Sequence, residues 1–208
     1  MNKKTKAVIF DFDGVIADTF EFHRKHFKKY LNLSLSKKEY QNLHKGNVFD
    51  GKDLNDKEKI ISENLVKYFK FIEKDHHNVK SFKRINALLK MLNEKYNLFI
   101  ITSSSKVNII NFLKRENVFD CFTEILGVEF DKSKVVKFNY ILEKYKLEKD
   151  DVLFVTDTSG DVFEANKVGV KSIAVTWGFH DREILAESEP FAYADDVEKV
   201  LEIVESNL

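Results

Sequence analysis

The stretch VIFDFDGVIADT, which runs from Val8 to Thr19, decides how the rest of the chain is interpreted. Its apolar start predicts a buried β-strand, and this strand ends in two aspartates, Asp11 and Asp13. Side chains two positions apart on an extended chain point the same way, so one carboxylate can act as a nucleophile while the other moves a proton. Gly14 lets the chain turn sharply after them and brings backbone N–H groups close to a substrate.

The composition excludes several classes of protein. With 208 residues, 43% of them hydrophobic and 33% charged, the chain has the make-up of a globular protein with one domain and a small insertion. Basic and acidic residues both number 34, so we expect no nucleic-acid partner, although a local basic patch stays possible. A lone cysteine, Cys121, excludes a disulfide framework and predicts a cytoplasmic protein. Asp11 interrupts the first apolar run and no stretch of about 18 uncharged apolar residues follows, so neither a signal peptide nor a membrane span is expected.

Five short apolar runs predict buried parallel strands, and helical patterns separate them. The runs are Lys6–Phe12, Leu98–Thr102, Glu124–Gly127, Asp151–Thr156 and Lys171–Trp177. Strands that alternate with helices indicate right-handed βαβ units, and therefore an α/β fold with a Rossmann-like, doubly wound parallel sheet.

A block of helices interrupts this alternation directly after the first strand. The predicted helices are Phe20–Leu31, Ser36–His44 and Asp56–His76, and Asn55 or Asp56 would cap the last one. We interpret residues 17–81 as an inserted α-helical cap domain, and residues 1–16 and 82–208 as the core domain. The joints between them are predicted at 15–19 and 77–82.

Polar residues follow three of the predicted strands, where ligands bind in an open parallel sheet. They are Asp11 and Asp13 after the first strand, Thr102 to Ser105 after the second, and Asp157 and Asp161 after the fourth. Converging carboxylates require a cation, and oxygen ligands beside a phosphate favour Mg²⁺. The hydroxyls and amides of 102–105 offer an anion site at a helix start. Lys132 or Lys134 would supply the missing positive charge.

These residues resemble, in order and over essentially the whole chain, the four motifs of the haloacid dehalogenase-like (HAD) phosphatase superfamily. The resemblance implies that Asp11 forms an aspartyl-phosphate and that Asp13 protonates the leaving oxygen and then activates water. Thr102 and the Ser103 amide would hold the phosphoryl group. Mg²⁺ would be bound by Asp11, Asp13 and Asp157, with Asp161 as a ligand or its support. The implied strand order is 5-4-1-2-3.

Two departures from the family pattern and two cap residues complete the interpretation. Thr156 stands where the family often has glycine, and no proline follows the lysine; we take Lys134 as catalytic, with Lys132 as the alternative. The cap entrance and cap loop resemble those of the β-phosphoglucomutase group, which makes His23 and Lys45 candidate substrate-binding residues.

The predicted function is Mg²⁺-dependent hydrolysis of a small phosphorylated metabolite, of the phosphoglycolate or sugar-phosphate type. A sugar-phosphate mutase and a non-catalytic phospho-ligand binding module are the alternatives. The oligomeric state, monomer or homodimer, stays open.

Overall fold

The computed structural model describes residues 4–46 and 56–208. The strands in these ranges are β1 (Ala7–Phe10), β2 (Ala17–Asp18), β3 (Lys80–Ser81), β4 (Asn97–Ile101), β5 (Phe122–Leu126), β6 (Val152–Thr156), β7 (Lys171–Val175) and β8 (Ala192–Ala194). The helices are α1 (Phe20–Leu31), α2 (Lys37–Asn42), α3 (Asp56–Ile72), α4 (Ile85–Lys95), α5 (Lys106–Arg115), α6 (Lys134–Tyr145), α7 (Ser159–Val168), α8 (Arg182–Ala186) and α9 (Val197–Asn207). None of these helices combines the length and the apolar character that a bilayer crossing needs.

Six parallel strands form the central sheet in the order β5-β4-β1-β6-β7-β8. Numbered as the five predicted strands, the first five of these read 3-2-1-4-5, so the predicted order 5-4-1-2-3 is confirmed. The sequence did not predict β8, because its three residues are too few to show a periodic pattern. The strand lies at the edge, beside β7.

Successive residues of β1 point to opposite faces of the sheet, and both faces are covered. Val8 and Phe10 pack into a core with apolar residues of α4, α5 and α9. Ala7 and Ile9 pack with residues of α6 and α7. Burial on both faces explains why the strands are apolar throughout instead of alternating.

The helical insertion has its own apolar cluster, which includes Phe27 of α1, Tyr40 of α2 and Leu65 of α3. Helix α1 has the predicted bounds. Helix α2 begins one residue after Ser36, which caps it, and α3 ends at Ile72, four residues earlier than predicted. The predicted cap residue Asn55 lies outside the described residues.

The chain enters and leaves the insertion through adjacent short strands. In this antiparallel pair, Ala17 of β2 lies opposite Ser81 of β3, and Asp18 lies opposite Lys80. The pair was not predicted, because two residues carry too little pattern. It falls within the predicted joints and ties the two connecting segments together.

Candidate active site

Asp11 lies one residue beyond β1 and is held by three neighbours. Its N–H donates to the carbonyl of Val155 over 2.9 Å. Oδ1 accepts a hydrogen bond from the N–H of Phe12 at 2.7 Å, and Oδ2 accepts one from the Lys134 ammonium at 2.7 Å. Burial raises the pKa of Asp11 well above its ordinary value, and the charge on Lys134 opposes this rise. An additional cation would therefore favour the ionised form that a nucleophile requires.

Asp13 is fixed from two sides. Its Oδ1 lies 3.1 Å from His23 Nε2, and its Oδ2 accepts a hydrogen bond from the Ser104 hydroxyl. The other ring nitrogen of His23 lies 2.9 Å from the Tyr68 hydroxyl. Burial alone would raise the pKa of Asp13, but the hydrogen bonds to His23 and Ser104 outweigh it and hold this pKa well below its ordinary value. Asp13 is therefore a carboxylate that can accept a proton.

Lys134, the first residue of α6, joins two carboxylates. Its side chain is 2% exposed, and Nζ lies 2.7 Å from Asp11 Oδ2 and 2.5 Å from Asp161 Oδ2. Burial lowers the pKa of Lys134, but the two carboxylates outweigh this effect and raise the pKa above its ordinary value. The Thr156 hydroxyl, at the position of the family's usual glycine, donates to the same oxygen of Asp161 at 2.7 Å. Lys132, in contrast, is exposed.

Asp157 is fully buried at the end of β6. Its Oδ2 accepts a hydrogen bond from the Phe179 N–H at 2.6 Å, whereas its Oδ1 has no partner among the described residues. Gly14 and Gly178 make room for this carboxylate, because a Cβ on either would lie 1.8 or 2.3 Å from Oδ2. Burial raises the pKa of Asp157 to about 8, and the Phe179 N–H opposes this rise.

The donors around Asp157 fit a hard divalent cation. A buried carboxylate with an unpartnered oxygen needs a proton or a cation to offset the cost of burial. Within residues 4–46 and 56–208, no three acidic, histidine or cysteine side chains already form a complete metal cluster. Mg²⁺ commonly uses only one or two carboxylates and completes its shell with water and phosphate oxygens, so this arrangement suits it.

Residues 102–105 form the loop between β4 and α5. The Thr102 hydroxyl accepts a hydrogen bond from the Ser104 N–H at 3.2 Å, and the Thr102 carbonyl accepts one from the Lys137 ammonium at 2.6 Å. Thr102 and Ser103 line a cavity that also includes Asp11 and Asp13. Because helix α5 follows directly, the loop presents hydroxyls close to a helix N-terminus, which suits an anion.

A cavity of about 110 Å³ connects these groups. Its floor includes Asp11, Asp13, Thr102, Ser103, Lys134 and Asp161. Opposite them lie apolar and aromatic side chains of the insertion, which we call the roof: Phe27, Leu43, Ile61, Leu65, Tyr68 and Phe69. Charged and polar groups are thus gathered at the floor.

The insertion is docked on the core through the loop that follows α2. The His44 carbonyl accepts a hydrogen bond from the Gly160 N–H at 3.1 Å, and the Gln41 side-chain amide donates to the Phe179 carbonyl at 2.9 Å. His180 Nε2 in turn lies 2.8 Å from the Gln41 carbonyl. A Cβ on Gly160 would lie 2.8 Å from the His44 carbonyl oxygen, so this close approach requires glycine.

The structure brings most of the predicted site residues together, His23 among them, but two lie in a different setting. The Lys45 ammonium does not line the cavity. It lies on the surface, 2.9 Å from the carboxylate of Glu187, which directly follows α8. The Gly14 N–H donates to the Ala17 carbonyl at 2.9 Å, so this amide is already used inside the turn. Gly14, with a φ of +73°, instead makes room for Asp157.

Sequence reasoning missed four residues that act on this site. Ser104 was named only as part of a hydroxyl-rich loop, and Gly178 was not named. Tyr68 and Lys137 reach the site from helices whose rotational setting the sequence does not fix. Only the glycine after Trp177 carries a usable signal, because a glycine directly after a strand often marks a close approach of two chain segments.

The fold and the site together define an α/β protein whose parallel sheet carries an aspartate-lined pocket at its carboxyl edge. The family model described as haloacid dehalogenase-like hydrolase matches residues 8–175. The chain belongs to this family.

Two curated relatives illustrate the range of similarity. A phosphoglycolate phosphatase from Vibrio vulnificus is 25% identical over 127 residues, which cover 59% of this chain and 56% of that protein. The chain thus matches just over half the length of this relative. The pyrophosphatase PpaX from Bacillus cereus is 26% identical over 215 residues, which cover 97% of each chain.

Solved structures share the fold. A haloacid dehalogenase-like family hydrolase from Streptococcus pneumoniae superposes with a TM-score of 0.78 at 22% identity, covering 96% of this chain and 98% of that one. A hydrolase from Pseudomonas syringae gives a TM-score of 0.76 at 19% identity, covering 97% and 99%. At these identities the likeness extends to the fold alone.

Proposed function

We propose that this chain is a Mg²⁺-dependent phosphatase that hydrolyses a small phosphomonoester through an aspartyl-phosphate intermediate. The observation that carries the proposal is the arrangement of Asp11, Lys134 and Asp161 beside a buried Asp157 with an unpartnered oxygen. A buried ammonium bound to the nucleophile's carboxylate supports phosphoryl transfer, because it neutralises charge that accumulates on phosphate oxygens. The family membership supports the same reaction class.

In the first half-reaction, a carboxylate oxygen of Asp11 forms a bond to phosphorus while the bond from phosphorus to the ester oxygen breaks. Asp13 gives its proton to that oxygen, which leaves as an alcohol. The low pKa of Asp13 describes the protein without substrate. An anionic phosphate raises this pKa as it approaches, so Asp13 can take up the proton that it then donates.

In the second half-reaction, water attacks the phosphorus of the aspartyl-phosphate and gives a proton to the Asp13 carboxylate. The bond between phosphorus and the Asp11 oxygen breaks, which returns Asp11 as a carboxylate and releases inorganic phosphate. His23 and Ser104 orient Asp13 for both transfers, since they bind its two oxygens. Thr102 and Ser103 hold the phosphoryl oxygens beside the helix start.

A bound Mg²⁺ would be held by Asp11, the Asp13 carbonyl and Asp157, and it would supply positive charge that lets two carboxylates and a phosphate share the site. Asp161 would support the site by positioning Lys134, because its oxygen is already bound by Lys134 and Thr156. The unpartnered Asp157 oxygen supports this ligand set.

Residues 17–81 would act as a cap that excludes water from the site and selects the substrate. The docking of His44 on Gly160 supports a closed position of this cap in the present structure. Phosphoglycolate and a sugar phosphate are the two substrate types to which the resemblance points. Cytoplasmic location stays a prediction from the single cysteine.

The test is hydrolysis of 4-nitrophenyl phosphate with and without Mg²⁺ by the native chain and three variants. Asp11→Asn is expected to abolish turnover, and Lys134→Met to reduce kcat by roughly 100-fold or more, because a preorganised charge is lost. Lys132→Met is the matched control and should retain kcat within about twofold. Turnover that ignores Mg²⁺ or survives Asp11→Asn would refute the proposal. Activity that appears only with an added bisphosphate primer would indicate the mutase instead.

A further inference from the structure

The roof of the cavity has a chemistry that limits which phosphate esters fit. From this chemistry, and resting on the proposed phosphatase function, we infer that the substrate's organic group is uncharged and largely apolar. An aryl or short alkyl phosphate belongs to this class. A phosphate ester with a second anionic group does not.

Apart from Tyr68, whose hydroxyl contacts His23, the roof side chains form one apolar surface. Ile61, Leu65 and Phe69 are spaced four residues apart on α3 and therefore form one stripe along the helix. Phe27 of α1 and Leu43 after α2 extend this stripe, and all five side chains are at least nine-tenths buried. They also form the apolar cluster of the insertion. The same packing that holds the three helices together thus fixes the shape of the roof.

The lysine that lines the cavity is already paired with carboxylates of the floor. Among the described residues that line the cavity, Lys134 is the only lysine or arginine, and it is bound to the carboxylates of Asp11 and Asp161. A second anionic group on the substrate would point away from the phosphate, toward the roof. There it would lose its hydration without gaining a counter-charge from the described residues, which weakens its binding.

Two histidines line the cavity, and neither offers a free cation. His23 is held between Asp13 and the Tyr68 hydroxyl. His44 donates its Nδ1 proton to the Tyr40 carbonyl at 2.9 Å, because a carbonyl can only accept. Burial lowers the pKa of His44 to about 4, so this ring is neutral near pH 7. It can accept one hydrogen bond from a substrate but cannot neutralise an anion.

The experiment compares matched substrates with the native protein in Mg²⁺. Phenyl phosphate and 4-carboxyphenyl phosphate differ by one carboxylate far from the phosphorus. We expect kcat/KM to be about 100-fold higher for phenyl phosphate, mainly through KM, because burial of an unpaired charge is costly. Phosphoglycolate and glucose 6-phosphate, the two substrate types to which the family resemblance points, should also fall below phenyl phosphate, because the first carries a second anionic group and the second is strongly polar.

A roof variant tests the physical cause. Leu65→Lys places a cation in the stripe and should narrow or reverse the preference for phenyl phosphate over 4-carboxyphenyl phosphate. Leu65→Met is the size-matched control, and it should keep this preference. Equal or better turnover of the carboxylated substrate by the native protein would overturn the inference while leaving the phosphatase function intact. If none of these esters is hydrolysed, or if their hydrolysis persists in Asp11→Asn, the proposed function is overturned and the inference with it. The native comparison stands even if Leu65→Lys does not fold.

Discussion

Replacement of Lys137 by methionine should make the protein more stable and the enzyme slower. Lys137 is 0% exposed, and its ammonium donates to the Thr102 carbonyl at 2.6 Å. Burial lowers its pKa to about 8, the nearby charge of Lys134 adds to this effect, and the carboxylates of Asp11, Glu164 and Asp161 oppose it. The buried ammonium therefore lowers the free energy of unfolding, and we expect Lys137 to contribute to catalysis instead.

The magnitude follows from the pKa. A fall from 10.5 to about 8 corresponds to roughly 3 kcal/mol that the charged side chain costs the folded state. Loss of the hydrogen bond to Thr102 costs about 1 kcal/mol in the opposite direction. The net gain for Lys137→Met at pH 7 is therefore about 2 kcal/mol, or a rise in Tm of roughly 4–8 °C for a chain of this size.

The pH dependence has a defined sign. Between pH 8 and 10.5 the unfolded chain holds the Lys137 proton more tightly than the folded protein does, so native stability rises with pH in this window. Below about pH 8 both states are protonated and the whole penalty is present. The advantage of the variant should therefore be full at pH 7 and disappear as the pH approaches 10.5.

The assay is urea unfolding at pH 7 and pH 10, combined with kcat/KM for a phosphate ester. We expect kcat/KM to fall about tenfold, because the Thr102 loop loses its anchor. Lys132 is exposed on the segment before the same helix, so Lys132→Met should change neither the stability in urea nor kcat/KM. A variant that is less stable than the native protein at pH 7, or that is more stable but equally active, would refute this reasoning.

Three further changes test the site. Gly14→Ala should lower kcat at least 100-fold, because the new Cβ would lie 1.8 Å from an Asp157 oxygen and the φ of +73° disfavours alanine; native-like kinetics would contradict this. Asp157→Asn should raise the Tm without Mg²⁺ at pH 7, since it removes a buried carboxyl group that must take up a proton on folding, and should abolish the increase in Tm that Mg²⁺ gives the native protein; an unchanged response to Mg²⁺ in thermal unfolding would exclude Asp157 as a ligand. Lys45→Met should leave kcat/KM within about twofold, because it breaks only a surface ion pair with Glu187; a large rise in KM would return Lys45 to the site.

The sheet was predictable because its strands are buried on both faces. A run such as Asp151–Thr156 has no alternation, and its length together with flanking helices identifies it as a parallel strand. The edge strand β8 lacks this signal, since Ala192 and Tyr193 are only half-buried. The antiparallel pair β2 and β3 is too short to carry any pattern. Prediction therefore succeeded for strands of four or five residues, the edge strand β5 included, and failed for the strands of two or three residues.

The site was predictable to the extent that strand ends converge in a parallel sheet. This rule alone brings Asp11, Thr102 and Asp157 to one place. The choice between Lys132 and Lys134 depends on where α6 begins and which way its first turn faces, and spacing along the chain fits both. The structure places Lys134 inward, with Ser133 as the residue that caps the helix.

Contacts that arise from helix rotation were beyond the sequence. Tyr68 meets His23 across the insertion, 45 residues away, and Ser104 meets Asp13 across 91 residues. The two residues of each pair lie in different segments, and the sequence pattern of one segment gives no information about the other. The burial of Lys137 could not be predicted either, because a lysine is rarely buried unless it is paired.

The antiparallel contact between Asp18 and Lys80 has a consequence for how such proteins diversify. The two backbones that border the insertion run side by side at the spacing of neighbouring strands, about 5 Å, which a two-residue turn can bridge. Everything between them can therefore be shortened, lengthened or exchanged while the ends of β1 and β4 stay in register. On the proposed function, evolution, or a protein engineer who grafts a foreign module at these two positions, can change the cap's selectivity, provided that the module again supplies a partner for Asp13 in place of His23.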